Sequence, residues 1–261
     1  MAGVRGEIPN LPVADLLTRY AREVSAGKKG ARWEIVRLKA LGRDMVAQVR
    51  LRALDAPHVS DWQRRRLQAV SAASVRRERN LLNHVFEIAR KEWRWLRKNP
   101  FEGIRRPKDG KARKRIATPA ELERLTARAS QKLARVIAFA VETGMRAGEI
   151  AALTRVEGRV AYVADSKNDE AREVPLSAAA IEAWQGGIDL TAGSISGLFA
   201  RLCDEVGIEG LTFHDLRRTA IVRLARKIDP LELAKMVGHH DLKMTLNVYY
   251  QIDAEAVAAK L

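Results

Sequence analysis

The 261-residue chain holds one cysteine, Cys203, so it can form no internal disulfide and suits a reducing compartment. No apolar run approaches the roughly 20 residues needed to cross a bilayer. Residues 1–10 lack the apolar centre of a secretory signal. Aromatic residues make up only 5%, and neither an internal repeat nor a low-complexity tract occurs. These absences exclude disulfide-stapled, exported and membrane-spanning classes and leave the cytoplasm as the expected location. One further scarcity is local. Residues 1–117 contain 12 Asp+Glu against 29 Lys+Arg, a net of +17, whereas residues 118–261 contain 20 against 18, a net of −2.

That imbalance is the first functional clue. A basic half joined to a near-neutral half reads as a polyanion clamp attached to something else, rather than as a general solubility charge. Nucleic acid is the expected partner. With 47% hydrophobic and 30% charged residues the chain buries a core, and its length favours two domains.

The first half reads as helices. Residues 13–25 carry a stripe at Val13, Leu16, Leu17 and Tyr20, and residues 33–41 repeat it with Ile35, Leu38 and Leu41. A third helix covers residues 61–70, with Arg64, Arg65 and Arg66 in succession. A fourth runs over residues 73–96, with Val75, Leu82, Val85, Phe86, Ala89 and Trp93 on one face and Arg76, Arg77, Arg79, Arg90, Lys91 and Arg94 on the others. Residues 105–115 (RRPKDGKARKR) are cationic, contain Pro and Gly and lack apolar periodicity, which is linker composition. Order restarts at Thr118, an N-cap followed by Pro119 and by Glu121 as a capping box. The expected division is a helical DNA-clamp domain over residues 1–107, a basic linker over 108–117 and a second domain with a C-terminal tail over 118–261. In the second domain, helices are expected at 133–141, 194–206, 214–227, 229–237 and 241–250. Strands at 159–164 and 172–176 flank a hairpin turn, so the fold is mainly α with a small β hairpin, an α+β class.

Four segments carry chemistry: TGMRAGEI at 143–150, SKNDEAREVPL at 166–176, TFHDLRRTA at 212–220 and VGHHDLKMTLNVY at 237–249. Each alone is weak. In the order Arg, Lys, His-x-x-Arg, Gly-His, Tyr they resemble the tyrosine recombinase (phage integrase) family. Residues 71–108 resemble its core-binding domain, a helical SAM-like fold. The likeness covers roughly residues 10–251.

The resemblance implies a site-specific recombinase that cuts and rejoins DNA through a 3′-phosphotyrosyl intermediate, for integration, excision or inversion. It implies Tyr249 as nucleophile, with Tyr250 as the alternative. Arg146 and Arg217 would clamp the phosphate, and His214 and His239 would contact it, His214 doubling as general base. Lys167 would protonate the leaving 5′ oxygen. Guanidinium groups suit this work, since they grip non-bridging oxygens in bidentate fashion and offset charge developing at phosphorus. Glu149, three residues after Arg146, is expected to hold that guanidinium. Asp215 is expected either to buttress the site or to serve as an ordinary N-terminal helix charge. No cofactor or metal is implied, although His239, His240 and Asp241 can also be read as metal ligands. Arg76, Arg77, Arg113, Lys114 and Arg115 are the expected DNA contacts.

The expected partners are double-stranded recombination sites and further copies of the chain, as a tetramer when synapsed on DNA, with no membrane and with a nucleoid location. Residues 252–261 carry a narrow apolar stripe that would dock on a neighbouring protomer or on their own domain. The stretch from Leu153 to Lys167 leaves little room for the family's usual first strand, and the 261 residues include no separate arm-binding domain, which fits either a short recombinase or a piece of a longer protein. The competing readings are relaxation of supercoils in the manner of a type IB topoisomerase, and a catalytically inactive DNA-binding relative.

Overall fold

Apolar residues spaced three and four apart set the helices, and side-chain caps set where most of them begin. The computed structural model describes residues 7–28, 30–108, 110, 114–164, 171–239, 241, 242, 245 and 246. The chain divides into two compact units, Met1–Ala112 and Arg113–Leu261.

In the first unit α1 (Val13–Tyr20) buries Val13, Leu16, Leu17 and Tyr20 and continues as a π-helical turn, Ala21–Ser25. It is followed by α2 (Ala31–Leu41), a 3-10 turn at Met45–Gln48, α3 (Ala56–Ala69) and α4 (Ala72–Lys91). The Asp55 carboxylate caps α3 by accepting from the Ala56 N–H, and the Ser71 hydroxyl caps α4 by accepting from Ser74. Trp62, Leu82, Val85, Phe86 and Phe101 fill the core of this unit.

Here the structure departs from the sequence expectation in two ways. Helix α4 stops at Lys91 instead of continuing to residue 96, because Arg94 adopts a left-handed backbone (φ 57°). Trp93 and Trp95 turn back, their amides donating to Ile88 and Ala89, and the Arg19 guanidinium lies 4.2 and 4.5 Å from their two ring centres. Arg79 is not on a solvent face of α4. It is buried, donates to the Ile104 carbonyl and lies 4.7 Å over the Phe101 ring.

The second unit begins with α5 (Pro119–Arg128). There the Thr118 hydroxyl accepts from the Glu121 N–H and the Glu121 carboxylate accepts from the Thr118 N–H. Next come α6 (Gln131–Thr143), α7 (Ala147–Ala152) and a three-stranded antiparallel sheet of β1 (Val156–Glu157), β2 (Val160–Val163) and β3 (Arg172–Pro175), in that order. The first strand for which the sequence left little room is therefore present, at two residues. Gly158, at φ 55°, makes the tight return into β2. Ala161 sits opposite Val156 on one side and Val174 on the other.

The chain then forms α8 (Ala178–Trp184), α9 (Ala192–Glu205), α10 (Phe213–Leu224) and α11 (Pro230–Val237). Helix α6 packs on α8 and α10, and β3 packs on α11. Ile137, Phe139, Ala161, Val174, Phe199 and Leu216 belong to the main core, while Ile221, Leu233 and Val237 seal α10 to α11. The fold is thus mainly helical with one small antiparallel sheet. No helix among the described residues is long and apolar enough to cross a membrane.

Candidate functional site

Two left-handed glycines frame the candidate site. Gly144 (φ 65°) ends α6 and Gly238 (φ 68°) ends α11, as expected where a helix closes through a residue without a Cβ. Arg146 follows the first by two residues and His239 follows the second directly.

Arg217, on α10, ties these two turns together. Its guanidinium is buried and donates from Nη1 to the Gly144 carbonyl at 2.8 Å and from Nη2 to the Val237 carbonyl at 2.6 Å. A guanidinium has five N–H donors in a rigid plane, so two such bonds fix its orientation. His214 stands three residues earlier on the same helix and is exposed. Asp215 is buried and accepts from both the Thr212 N–H and the Thr212 hydroxyl at 2.7 Å, the geometry of a helix-start charge.

Arg146 stands at the N-cap position of α7 and meets Glu149 twice. Its backbone N–H donates to Oε2 at 2.8 Å and its Nη1 to Oε1 at 2.7 Å. Glu149 is buried and accepts as well from Arg172, at 3.1 Å from Nη1 and 2.7 Å from Nη2. Burial alone pushes the Glu149 carboxyl upward. The Arg172 hydrogen bonds, the Arg146 amide and the two positive charges outweigh it and hold the group at about 2.

His239 is half-buried, with Nδ1 2.9 Å from the Thr245 hydroxyl. Burial, and then the charges of Arg217, Arg146 and Arg172, hold its pKa down at about 4. The imidazole is therefore neutral near pH 7 and lies within the field of all three guanidiniums. A compact cluster of guanidiniums with a neutral imidazole beside it is chemically suited to gripping a phosphodiester and stabilising added charge on it.

The structure brings together Arg146, Glu149, Arg217 and His239. Lys167, Tyr249, Tyr250 and Arg113, the turn at 166–171 apart from Ala171, and the tail at 252–261 lie outside the described residues. Of the helix expected at 241–250 only residues 241, 242, 245 and 246 are described. Among the described residues no group of three or more His, Cys, Asp or Glu is placed to hold a metal ion. Cys203 is buried, and that burial raises its thiol pKa.

Of the expected DNA contacts, Arg77 and Lys114 are exposed and Arg76 is half-buried. Arg115 is ion-paired with the Glu121 carboxylate. The Arg64–Arg66 run is also tied internally, Arg64 to Asp61, Arg65 to Asp44 and Asp61, and Arg66 to Glu78. Sequence reasoning missed Arg172. Its signal was strand alternation, which puts it on the same face of β3 as buried Val174.

Residues 186–256 match the family described as the Phage integrase family. A Haemophilus influenzae protein described as "Putative integrase/recombinase" is 33% identical over 280 aligned positions, covering 98% of this chain and 92% of that protein. A shufflon-specific DNA recombinase of Escherichia coli is 31% identical, with 97% of this chain and 72% of that protein covered. Among solved structures, the Tn1549 transposon integrase in complex with a circular intermediate DNA gives a TM-score of 0.78 at 21% identity, covering 96% of this chain and 100% of that one. A lambda integrase tetramer bound to a Holliday junction gives 0.80 at 19% identity, covering 92% and 77%. At those identities the structural likeness speaks for the fold.

Proposed function

The chain belongs to the phage integrase family of site-specific DNA recombinases, and from that membership we propose that it cuts duplex DNA with Tyr249. The Tyr249 oxygen bonds to phosphorus as the bond to the 5′ oxygen breaks. The tyrosine proton passes to His214, and the leaving oxygen takes a proton from Lys167. Arg146 and Arg217 hold the non-bridging oxygens, and His239 adds a contact through its imidazole. The resulting 3′-phosphotyrosyl bond retains the energy of the broken linkage, so a 5′-hydroxyl reverses the step without a nucleotide.

One observation carries this reading. Arg217 reaches the carbonyl two residues before Arg146 and the carbonyl two residues before His239, so a single guanidinium sets the spacing of the phosphate-binding groups. DNA is the partner, engaged by exposed basic residues such as Arg77 and Lys114. Exchange between two duplexes requires four cuts, hence four protomers, a reading supported by the fold shared with the lambda integrase tetramer. The outcome is integration, excision or inversion, carried out in the cytoplasm at the nucleoid.

The test is a nicked suicide substrate that loses its 5′ fragment after cleavage. A covalent protein–DNA adduct is expected, abolished by Tyr249→Phe and retained by Tyr250→Phe. An adduct that survives in the first variant and vanishes in the second moves the nucleophile to Tyr250.

A further inference from the structure

Arg172 occupies a place that phosphate gripping does not explain. Its side chain is 9% exposed and makes three directed bonds to two different segments. Nη1 and Nη2 form a fork on the two oxygens of Glu149, which in turn holds both the amide and the guanidinium of Arg146. Nε donates to the Met236 carbonyl at 2.9 Å, in the last turn of α11. The same side chain lies directly against Gly238, where a Cβ would meet Nη1 at 3.3 Å and Cδ and Cζ at 3.4 Å. Glycine at 238 thus meets two demands, a left-handed helix end and room for Arg172.

We propose that Arg172 is a positioning residue for strand cleavage, locking the Arg146 guanidinium and the Gly238–His239 turn into one register through Glu149 and the Met236 carbonyl. This deepens the cutting reaction proposed above and rests on it. Arg217 and Arg172 then act as two parallel ties. One joins the turns through Gly144 and Val237, and the other joins them through Glu149 and Met236. Two ties between the same segments suppress rotation as well as separation. Lysine cannot replace the second tie, because one ammonium lacks the planar fork that serves a carboxylate and a carbonyl at once. Since Arg172 is held by Glu149 on one side and packed on Gly238 on the other, its work is done through Arg146 and His239 rather than on DNA.

The test compares Arg172→Lys, Arg172→Met and Glu149→Gln in the full chain. It measures half-site DNA affinity, single-turnover cleavage of the nicked substrate and the His239 titration by NMR. Misplacing reacting groups by about 1 Å costs about 100-fold in rate. Arg172→Met is therefore expected to slow cleavage about 100-fold while DNA affinity changes less than about threefold. Arg172→Lys is expected to recover only part of that rate. The His239 pKa should rise from about 4 in Arg172→Met, because one of the charges holding it down is gone, and stay lower in Arg172→Lys. That titration reports the lost charge; a normal DNA affinity with slowed cleavage, partly rescued by Arg172→Lys, is what a purely structural arginine would not give. Full-rate cleavage by Arg172→Met overturns the inference, as does a fall in DNA affinity that accounts for the whole rate loss. Should Arg172→Met fail to fold, Arg172→Lys decides the matter: normal cleavage overturns the inference, and slowed cleavage at normal affinity supports it. If the unsubstituted protein forms no adduct at Tyr249, the cutting reaction itself fails, a result distinct from any of these.

Discussion

Arginine is anchored differently in much of the first unit and at Arg217 in the second. In the first, many guanidiniums are joined to carboxylates: Arg37 and Arg66 converge on buried Glu78, Arg65 on Asp44 and Asp61, and Arg90 on Glu87. In the candidate site of the second, Arg146 and Arg172 likewise share one carboxylate, Glu149, and it is Arg217, with the Nε of Arg172, that is anchored on backbone carbonyls. Arg217 is held at Gly144 and Val237, and Arg172 reaches Met236. The difference is electrostatic. A carboxylate partner cancels charge and helps hold the fold, whereas a carbonyl fixes a guanidinium's orientation and leaves its charge to act. The depressed pKa of His239 records that field, with Arg217, Arg146 and Arg172 contributing after burial itself. Net charge by region is therefore a poor guide to where guanidinium charge is concentrated. The near-neutral half holds the concentrated positive site.

The largest effect expected from this contrast is at Arg217. Arg217→Lys keeps the charge but cannot serve two carbonyls in the same plane. Each abandoned buried acceptor costs about 1–3 kcal/mol. Loss of a preorganised charge-stabilising donor costs about 10³-fold in rate. Single-turnover cleavage should fall by that order even under conditions where the variant stays folded, as checked by circular dichroism. Cleavage within about fivefold of the unsubstituted protein would mean that charge alone suffices and that carbonyl anchoring is incidental.

An intermediate effect is expected at Glu78, the opposite case. Glu78→Ala strips Arg37 and Arg66 of their shared carboxylate. Those arginines still reach water, so the loss should be about 2 kcal/mol, below that of a fully buried pair. Urea unfolding followed by tryptophan fluorescence reports chiefly on this unit, which holds Trp33, Trp62, Trp93 and Trp95. Cleavage per folded molecule should not change. A stability loss with a matching loss of cleavage would show that this pairing serves the chemistry as well.

These assignments also mark how far the sequence can be read. The mainly helical class with a small sheet was legible because capping and periodicity are local. Thr118-Pro119-x-Glu121 announces α5, and Asp229-Pro230 announces α11. Arg146, Glu149, Arg217 and His239 were legible through motif order, and Arg146–Glu149 contact follows from their spacing at a helix start. What failed was the assumption that arginine marks solvent. Arg79 lies four residues after Val75 and three before Leu82, squarely on the buried face of α4, yet its charge argued for the opposite face. The end of α4 was missed because the stacking of Arg19 on Trp93 and Trp95 joins residues more than seventy apart. Arg172 was missed for a related reason. Its partners, Glu149 and Met236, are distant in sequence, and only the fold brings them to it.

The smallest effect, and the finest test of the contrast, is in the salt dependence of DNA binding. Each phosphate contact made by a basic residue contributes about 0.9 to the log–log salt slope, through release of a condensed counterion. Arg77 and Lys114 are exposed, whereas Arg115 is ion-paired with Glu121, whose carboxyl is held at about 2 chiefly by that arginine. A guanidinium already neutralised releases little when it meets a phosphate. Arg77→Ala and Lys114→Ala should each flatten the slope by about 0.9, and Arg115→Ala by clearly less. The measurement is half-site affinity by fluorescence anisotropy over a salt series, for each variant separately. Glu121→Gln supplies the complementary arm, since freeing Arg115 from its carboxylate should steepen the slope if a phosphate lies within reach. An Arg115→Ala change as large as that of Arg77→Ala would mean that DNA displaces the Glu121 carboxylate. In that case ion pairing in the free protein would not mark a guanidinium as withdrawn from DNA, and the division between charge-cancelled and charge-active arginines would fail at this position.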